Sequence, residues 1–290
     1  MTSRGTAAVA LEEVEVTFGA VRALAGVSRV VERGERVAVI GASGAGKSTL
    51  FDVLTRAVPL RRGRVLVEGQ DIMALGSREL RAARRRIGVI YQAYGLVPQL
   101  SVGMNVALGE VADLSGTATL RMFARGPGPA TSARIVAALE RVGLSDRVAD
   151  RVDNLSGGQQ QRVAVARLLL QSPSLILADE PLSAVDPVTG RRVLGALLEL
   201  AAEQDATLLV NLHDVALARS FPRVVALLGG QVAFDGPPAD LSAEVLTEIY
   251  AGEPLDPVPA EAADREPSPL GRPGLPLLTH DREGYGLRAR

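Results

Sequence analysis

Nine consecutive residues carry the strongest chemical signal in this chain: Gly41, Ala42, Ser43, Gly44, Ala45, Gly46, Lys47, Ser48 and Thr49. The spacing Gly-x-x-x-x-Gly-Lys-Ser is that of a loop that wraps phosphate groups in backbone N–H donors. Its glycines let those donors point inward, and a helix starting at the end of the loop adds its positive pole. Lys47 is the sole lysine among 32 basic residues; all the others are arginine. A compact ammonium on a flexible stem fits between the β and γ phosphates, whereas a planar guanidinium fork fits that gap badly. Ser48 offers a hydroxyl oxygen to Mg²⁺. Residue type, spacing and composition agree on a nucleoside triphosphate.

The stretch Leu175-Ile176-Leu177-Ala178-Asp179-Glu180 is a second candidate. An apolar strand running into two carboxylates sets them at the carboxyl edge of a sheet, beside the phosphate loop. Asp179 suits Mg²⁺ through water. Glu180 suits a general base that polarises an attacking water. On its own such a strand end reads as a solvated terminus; beside a phosphate loop it reads as a hydrolytic site.

The elements that must position these groups alternate between short apolar runs and helical patterns, which predicts an α/β sheet. Val37 to Ile40 is a buried strand feeding the loop, with a helix from Lys47 to about Ala57 after it. Further strands are expected at Val65–Val67, Ile87–Ile90, Leu175–Ala178 and Thr207 to Val210, the last running on to Leu212. Val224–Leu228 and Gln231–Phe234 flank Gly229-Gly230, a hairpin signal. Between Gln92 and Gln171 the strands stop. Helices are predicted at Ala133–Val142 and Gln159–Leu170, and a loop over the Gly/Ala/Pro-rich stretch Leu114–Pro129.

Composition narrows the rest. The chain has 290 residues, an apolar fraction of 47% and a formal charge of −1, so bulk charge gives no case for nucleic-acid binding. The basic run Arg78, Arg81, Arg84, Arg85 and Arg86 reads as a solvated helix face. There is no cysteine, hence no disulfide framework or thiolate metal site, and two histidines do not make a cluster. Met1 to Val9 lacks the apolar core of a signal peptide, and no run reaches the ~18 apolar residues of a membrane span. A soluble, cytoplasmic protein is expected. The Pro-, Glu-, Gly- and Arg-rich stretch from Glu253 to Arg290 is expected to be a disordered tail.

Leu155-Ser156-Gly157-Gly158-Gln159 completes the set. Ser156 is a helix N-cap candidate, and the N–H groups behind it form an anion site with the helix dipole. In this order after a phosphate loop, the motif resembles the signature of the ATP-binding-cassette (ABC) family. The resemblance covers about residues 9–252. It implies a P-loop NTPase fold: a RecA-like, mainly parallel core sheet, antiparallel strands at the N-terminus and a helical subdomain inserted over about residues 92–170.

The resemblance also implies a head-to-tail homodimer that buries two ATP molecules with Mg²⁺. Each would lie between the phosphate loop of one copy and Ser156, Gly157, Gly158 and Gln159 of the other. Gln92 is similar to the family's glutamine at the subdomain joint, a sensor of Mg²⁺ and the γ-phosphate. Asp186 matches the dimer-contact loop, although Val185 stands where the family usually has leucine, and it can also cap the helix at Pro187. His213 is similar to the switch histidine that contacts the γ-phosphate. Phe18 occupies the place of the aromatic that stacks on adenine.

Other stretches resemble the ATP-binding subunits of phosphonate importers: Tyr91–Pro98, Ser156–Val163, Val210–Val215 with Asn211-Leu212 before the histidine, Phe234–Gly236 and Leu246–Tyr250. This implies an ATPase at the cytoplasmic face of a membrane, working with integral permease subunits and, through them, a solute-binding protein. An exporter or lipoprotein-releasing cassette is the runner-up. A cassette working on DNA or ribosomes is a further alternative, but the coiled coils, zinc cysteines and second cassette of that class are missing.

Overall fold

The structure, a computed structural model, describes residues 7–91, 94–182 and 187–251. The chain divides into a compact unit through Leu255 and a second from Asp256 on, and all described residues belong to the first. Gln92, Asp186 and the tail expected from Glu253 lie outside the described residues.

The unit opens with β1 (Ala7–Phe18) and β2 (Val21–Glu32), a long antiparallel pair. β3 (Arg36–Ile40) then leads into α1 (Lys47–Leu54), followed by β4 (Arg62–Val67) and the short β5 (Gln70–Asp71). The four outer strands form an antiparallel sheet in the order β2-β1-β4-β5. These are the antiparallel strands expected at the N-terminus. α1 stops at Leu54, short of Ala57: Thr55 and Arg56 turn the chain, and Arg56 has a positive φ of 52°.

After α2 (Ser77–Arg85) and β6 (Ile87–Ile90) the chain turns helical, with α3 (Val102–Ala107), α4 (Gly116–Arg125), α5 (Pro129–Arg141) and α6 (Gly157–Gln171). Val102, Val106, Ile135, Leu139, Val163 and Leu170 share one buried cluster, so this insertion has its own core. α4 corrects the loop expected at Leu114–Pro129. The glycines and prolines there punctuate the ends of a helix and do not forbid it. Ser115 caps its start by accepting from the Ala118 N–H at 3.3 Å, Gly126 ends it with φ 81°, and Met122 anchors it in the cluster. The basic run lies on and just after α2, and two of its members serve the fold. Arg84 donates to the Thr55 and Arg56 carbonyls, and Arg86 pairs with Glu68 at 2.7 Å.

The chain returns as β7 (Leu175–Asp179), α7 (Pro187–Glu203), β8 (Thr207–Asn211), α8 (Val215–Ala218), β9 (Arg223–Leu228), β10 (Gln231–Gly236) and α9 (Ala243–Ile249). The second sheet runs β10-β9-β3-β8-β7-β6. All its pairings are parallel except β9-β10, whose hairpin turns on Gly229 and Gly230 at φ 55° and 77°. Two positive φ values in a two-residue connection match the right-handed twist of the flanking strands.

The period of two sorts side chains to the two faces of this sheet. Ala38, Ile40, Ile176, Ala178, Leu208 and Val210 pack against Val193, Leu197 and Leu200 of α7. Val37, Val39, Leu175, Leu177 and Leu209 pack on the other side against Leu50, Phe51 and Leu54 of α1 and the inner face of the antiparallel sheet. β3, β7 and β8 are adjacent in the sheet and parallel, so their carboxyl ends share one edge.

Candidate nucleotide site

The phosphate loop fills the turn between β3 and α1. Gly46 is the N-cap of α1 with φ 104°, a backbone conformation that L side chains rarely adopt. It is also in close contact with the Ala23 carbonyl of β2, so the antiparallel sheet sets the height of the loop. Lys47 is buried, and its ammonium donates to the Gly41 carbonyl at 2.7 Å and the Ala42 carbonyl at 3.0 Å. Gly41, Ala45 and Gly46 are buried in the loop's base, and Thr49 is half-buried on α1. Ser43, Gly44 and Ser48 are exposed on its open side.

Asp179, the last residue of β7, has the same strand parity as Leu175 and Leu177, so it faces the α1 layer. There the Ser48 hydroxyl donates to Asp179 Oδ1 at 3.3 Å. Asn211 closes β8 directly opposite in register and donates its amide to the same oxygen at 2.5 Å. Asp52, one turn after Ser48, has its carboxyl pushed above the usual aspartate range, first by burial and then by the charge of Asp179. A hydroxyl and a carboxylate form a sparse oxygen donor set, the kind that holds Mg²⁺ while water and substrate phosphates fill the rest of its octahedron. Among the described residues no group of three His, Cys, Asp or Glu side chains is arranged to hold a metal ion.

Beyond the strand ends, one residue past β7 and two past β8, Glu180 and His213 meet: His213 Nε2 lies 2.6 Å from Glu180 Oε1. His213 stands two residues beyond β8, which ends at Asn211, short of the expected Leu212. Glu180 has a positive φ of 47°, rare for a side chain of its kind. The sequence motifs of β7 and β8 thus become two side-by-side pairs, Asp179 with Asn211 and Glu180 with His213.

Ser156 is the N-cap of α6. Its hydroxyl accepts from the Gln159 N–H at 3.4 Å, and the Ser156 N–H donates to Gln159 Oε1 at 2.9 Å, a reciprocal capping box. Ser156 and Gly157 are exposed, with Gly158 and Gln159 half-buried behind them. This start of α6 is carried by the helical subdomain through buried Leu155 and Val163. Phe18 ends β1 with half of its surface exposed, so it is no core phenylalanine and presents an aromatic face.

Three residues gain a role only from the structure. Asn211 was legible as part of a family likeness, but not as the partner of Asp179. Gln161 is fully buried and donates from Nε2 to the Pro181 carbonyl, tying α6 to the residue after Glu180. Arg167, also on α6, donates to the Tyr94 and Gly95 carbonyls at 3.1 and 2.7 Å, and burial pushes its guanidinium pKa down. The signal for Gln161 was a polar side chain on the buried stripe of Val165 and Leu168, at helical spacings of four and seven.

A family model described as ABC transporter matches residues 24–183, more than half of the chain. The chain is 44% identical over 256 residues to "Phosphonates import ATP-binding protein PhnC 1" of Rhodopseudomonas palustris strain HaA2, covering 88% of this chain and 90% of that one. It is 45% identical to "Phosphonates import ATP-binding protein PhnC" of Alcaligenes faecalis, covering 80% and 83%. Among solved structures, the ADP conformation of MJ1267, an ATP-binding cassette of an ABC transporter, superposes with a TM-score of 0.72 at 28% identity, covering 85% of this chain and 99% of that one. A dimeric post-hydrolysis state of the cassette MJ0796 bound to ADP and Pi gives 0.69 at 32% identity, covering 79% and 98%. With the phosphate loop, the Asp179–Glu180 strand end and the capped Ser156 helix start all on one such fold, the chain belongs to the ABC transporter family.

Proposed function

We propose that this chain is the ATP-hydrolysing subunit of an ABC importer whose cargo is a phosphonate or a related phosphorus oxyanion. The observation that carries the cargo reading is the identity, over most of both chains, to proteins named for phosphonate import. The ATPase reading rests on the site. Lys47 and the loop N–H groups hold the phosphates, and Phe18 stacks on the adenine. Ser48, Asp179 and Gln92 would hold Mg²⁺, which would supply positive charge against the triphosphate. Glu180 orients a water in line with the γ-phosphate and takes its proton, and His213, in contact with Glu180, fixes that carboxylate and reaches the γ-phosphate.

The working form in this reading is a head-to-tail pair of copies. Ser156, Gly157, Gly158 and Gln159 of one copy close over the triphosphate held by the other, and Asp186 lines the contact between them. The dimeric form of the similar cassette bound to ADP and Pi supports the pairing of two copies. No described helix is long and apolar enough to cross a membrane. In this reading, which rests on the relatives named for import, the subunit acts as a peripheral protein on the cytoplasmic face, beneath integral permease subunits that a solute-binding protein feeds. In this reading the cassette spans residues 9–252.

The test is uptake of a radiolabelled alkylphosphonate in cells carrying either this chain or its Lys47→Ala variant as their sole copy. Uptake with the former and none with the variant is expected. Equal uptake in both refutes the cargo assignment.

A further inference from the structure

We infer that Asn211 is a positioning residue for the cation-binding carboxylate Asp179. The inference rests on the proposed ATPase reading and adds to it a fully buried residue that acts through Asp179.

Asn211 is fully buried at the end of β8, after four buried residues Thr207 to Val210. A buried amide in a run of apolar strand residues costs stability unless both of its ends are paired. Here only one is. Nδ2 donates to Asp179 Oδ1 at 2.5 Å, while the amide oxygen is buried without a hydrogen-bond partner. A packing role would be met better by valine or leucine of similar size. The half-satisfied amide is retained where its single bond goes to the carboxylate of the cation site.

The geometry says what that bond does. Asp179 and Asn211 are paired residues of adjacent parallel strands, so the backbone fixes the distance between their side chains. The amide takes Oδ1, the oxygen on which the Ser48 hydroxyl also converges. No hydrogen bond among the described residues uses Oδ2. Asn211 thus selects one rotamer of Asp179, the one aimed at Ser48, and supplies a donor beside a carboxylate that also faces Asp52. Groups that orient a metal's ligands in this way characteristically contribute 10–100-fold to metal affinity.

The experiment measures Mn²⁺ binding by electron paramagnetic resonance, using the purified full-length protein saturated with ADP. The proteins compared are the unmodified chain, Asn211→Val, Asp179→Asn and the double variant. Asn211→Val suits a strand and removes the donor; Asn211→Ala, which needs no extra room, runs in parallel in case the valine does not fold. The expected result is Mn²⁺ binding about 10–100-fold weaker in Asn211→Val. ADP affinity measured in EDTA should stay within about threefold, as expected for a bond made to the cation's ligand and not to the nucleotide. In the Asp179→Asn background the same substitution should cost no more than about twofold, because a positioning residue has nothing left to position. Mn²⁺ affinity of the single variant within about threefold of the unmodified chain overturns the inference, as does an equal loss with and without the Asp179 carboxylate. If the unmodified chain binds no Mn²⁺ with ADP, the parent ATPase reading fails instead.

Discussion

Gly46 offers the sharpest test of how the phosphate loop is held. A methyl group built on it would sit 2.4 Å from the Ala23 carbonyl oxygen and 3.2 Å from Leu24 Cδ2. Ordinary contact begins near 3.4 Å, so the α1 start or the β2 backbone must give by about 1 Å. Overpacking of that kind costs about 1–3 kcal/mol. The unfavourable φ adds about 1–2 kcal/mol. The sum is about 2–5 kcal/mol for Gly46→Ala, or roughly 4–20 °C in Tm at the 2–4 °C per kcal/mol of a domain of this size. Gly44 is the internal control: its φ is 76°, but nothing lies within 4 Å of the position of its missing Cβ. Gly44→Ala should carry only the backbone part, about 1–2 kcal/mol. Calorimetric melts of the two variants without nucleotide separate the terms. If Gly46→Ala melts no lower than Gly44→Ala, the contact with β2 does not seat the loop and the reasoning fails.

Three further predictions concern the site and the tail. Glu180→Gln should retain ATP binding and hydrolyse at least ~100-fold more slowly, the scale of a lost general base; near-normal turnover in a phosphate-release assay rules out that role. Asp52 has its folded pKa raised above the unfolded value, so the folded state binds the extra proton and stability falls as pH rises through that interval, then stays lower. Asp52→Asn, melted without metal, should therefore gain Tm at pH 7, and the gain should shrink as pH is lowered toward 4; a gain independent of pH contradicts this. A chain ending at Gly252 should hydrolyse ATP at the basal rate of the full chain, and a change beyond about threefold would assign residues 253–290 a part in the cassette.

Much of this architecture could be read from residue patterns, and the limits of that reading have physical causes. Val37–Ile40, Leu175–Ala178 and Leu208–Val210 are apolar on both strand parities because helices or a second sheet cover both faces. The hairpin at Gly229-Gly230 was equally plain, since two adjacent glycines supply the two positive φ values. α4 was hidden because Gly116 and Gly126-Pro127-Gly128 crowd its two ends, while its single buried anchor, Met122, gives almost no periodic signal. In the site, the motif residues announce themselves by local spacing. Asn211, Gln161 and Arg167 do not, because their partners stand 32, 20 and 72–73 positions away and only the tertiary fold brings them together.

The capping box at Ser156 has a consequence for how two copies would come together. In that box the Ser156 oxygen is an acceptor, engaged by the Gln159 N–H. The hydroxyl hydrogen is not used by that bond, so the group keeps a donor to give while its oxygen is tethered. The Gln159 side chain is likewise held against the Ser156 N–H. A neighbouring molecule that presents an anion meets a donor whose rotor is already restrained, and the ordering entropy has been lost during folding rather than at encounter. In the proposed pair each subunit would bring this donor already restrained, and assembly would be fast and reversible because little has to freeze when the two copies meet.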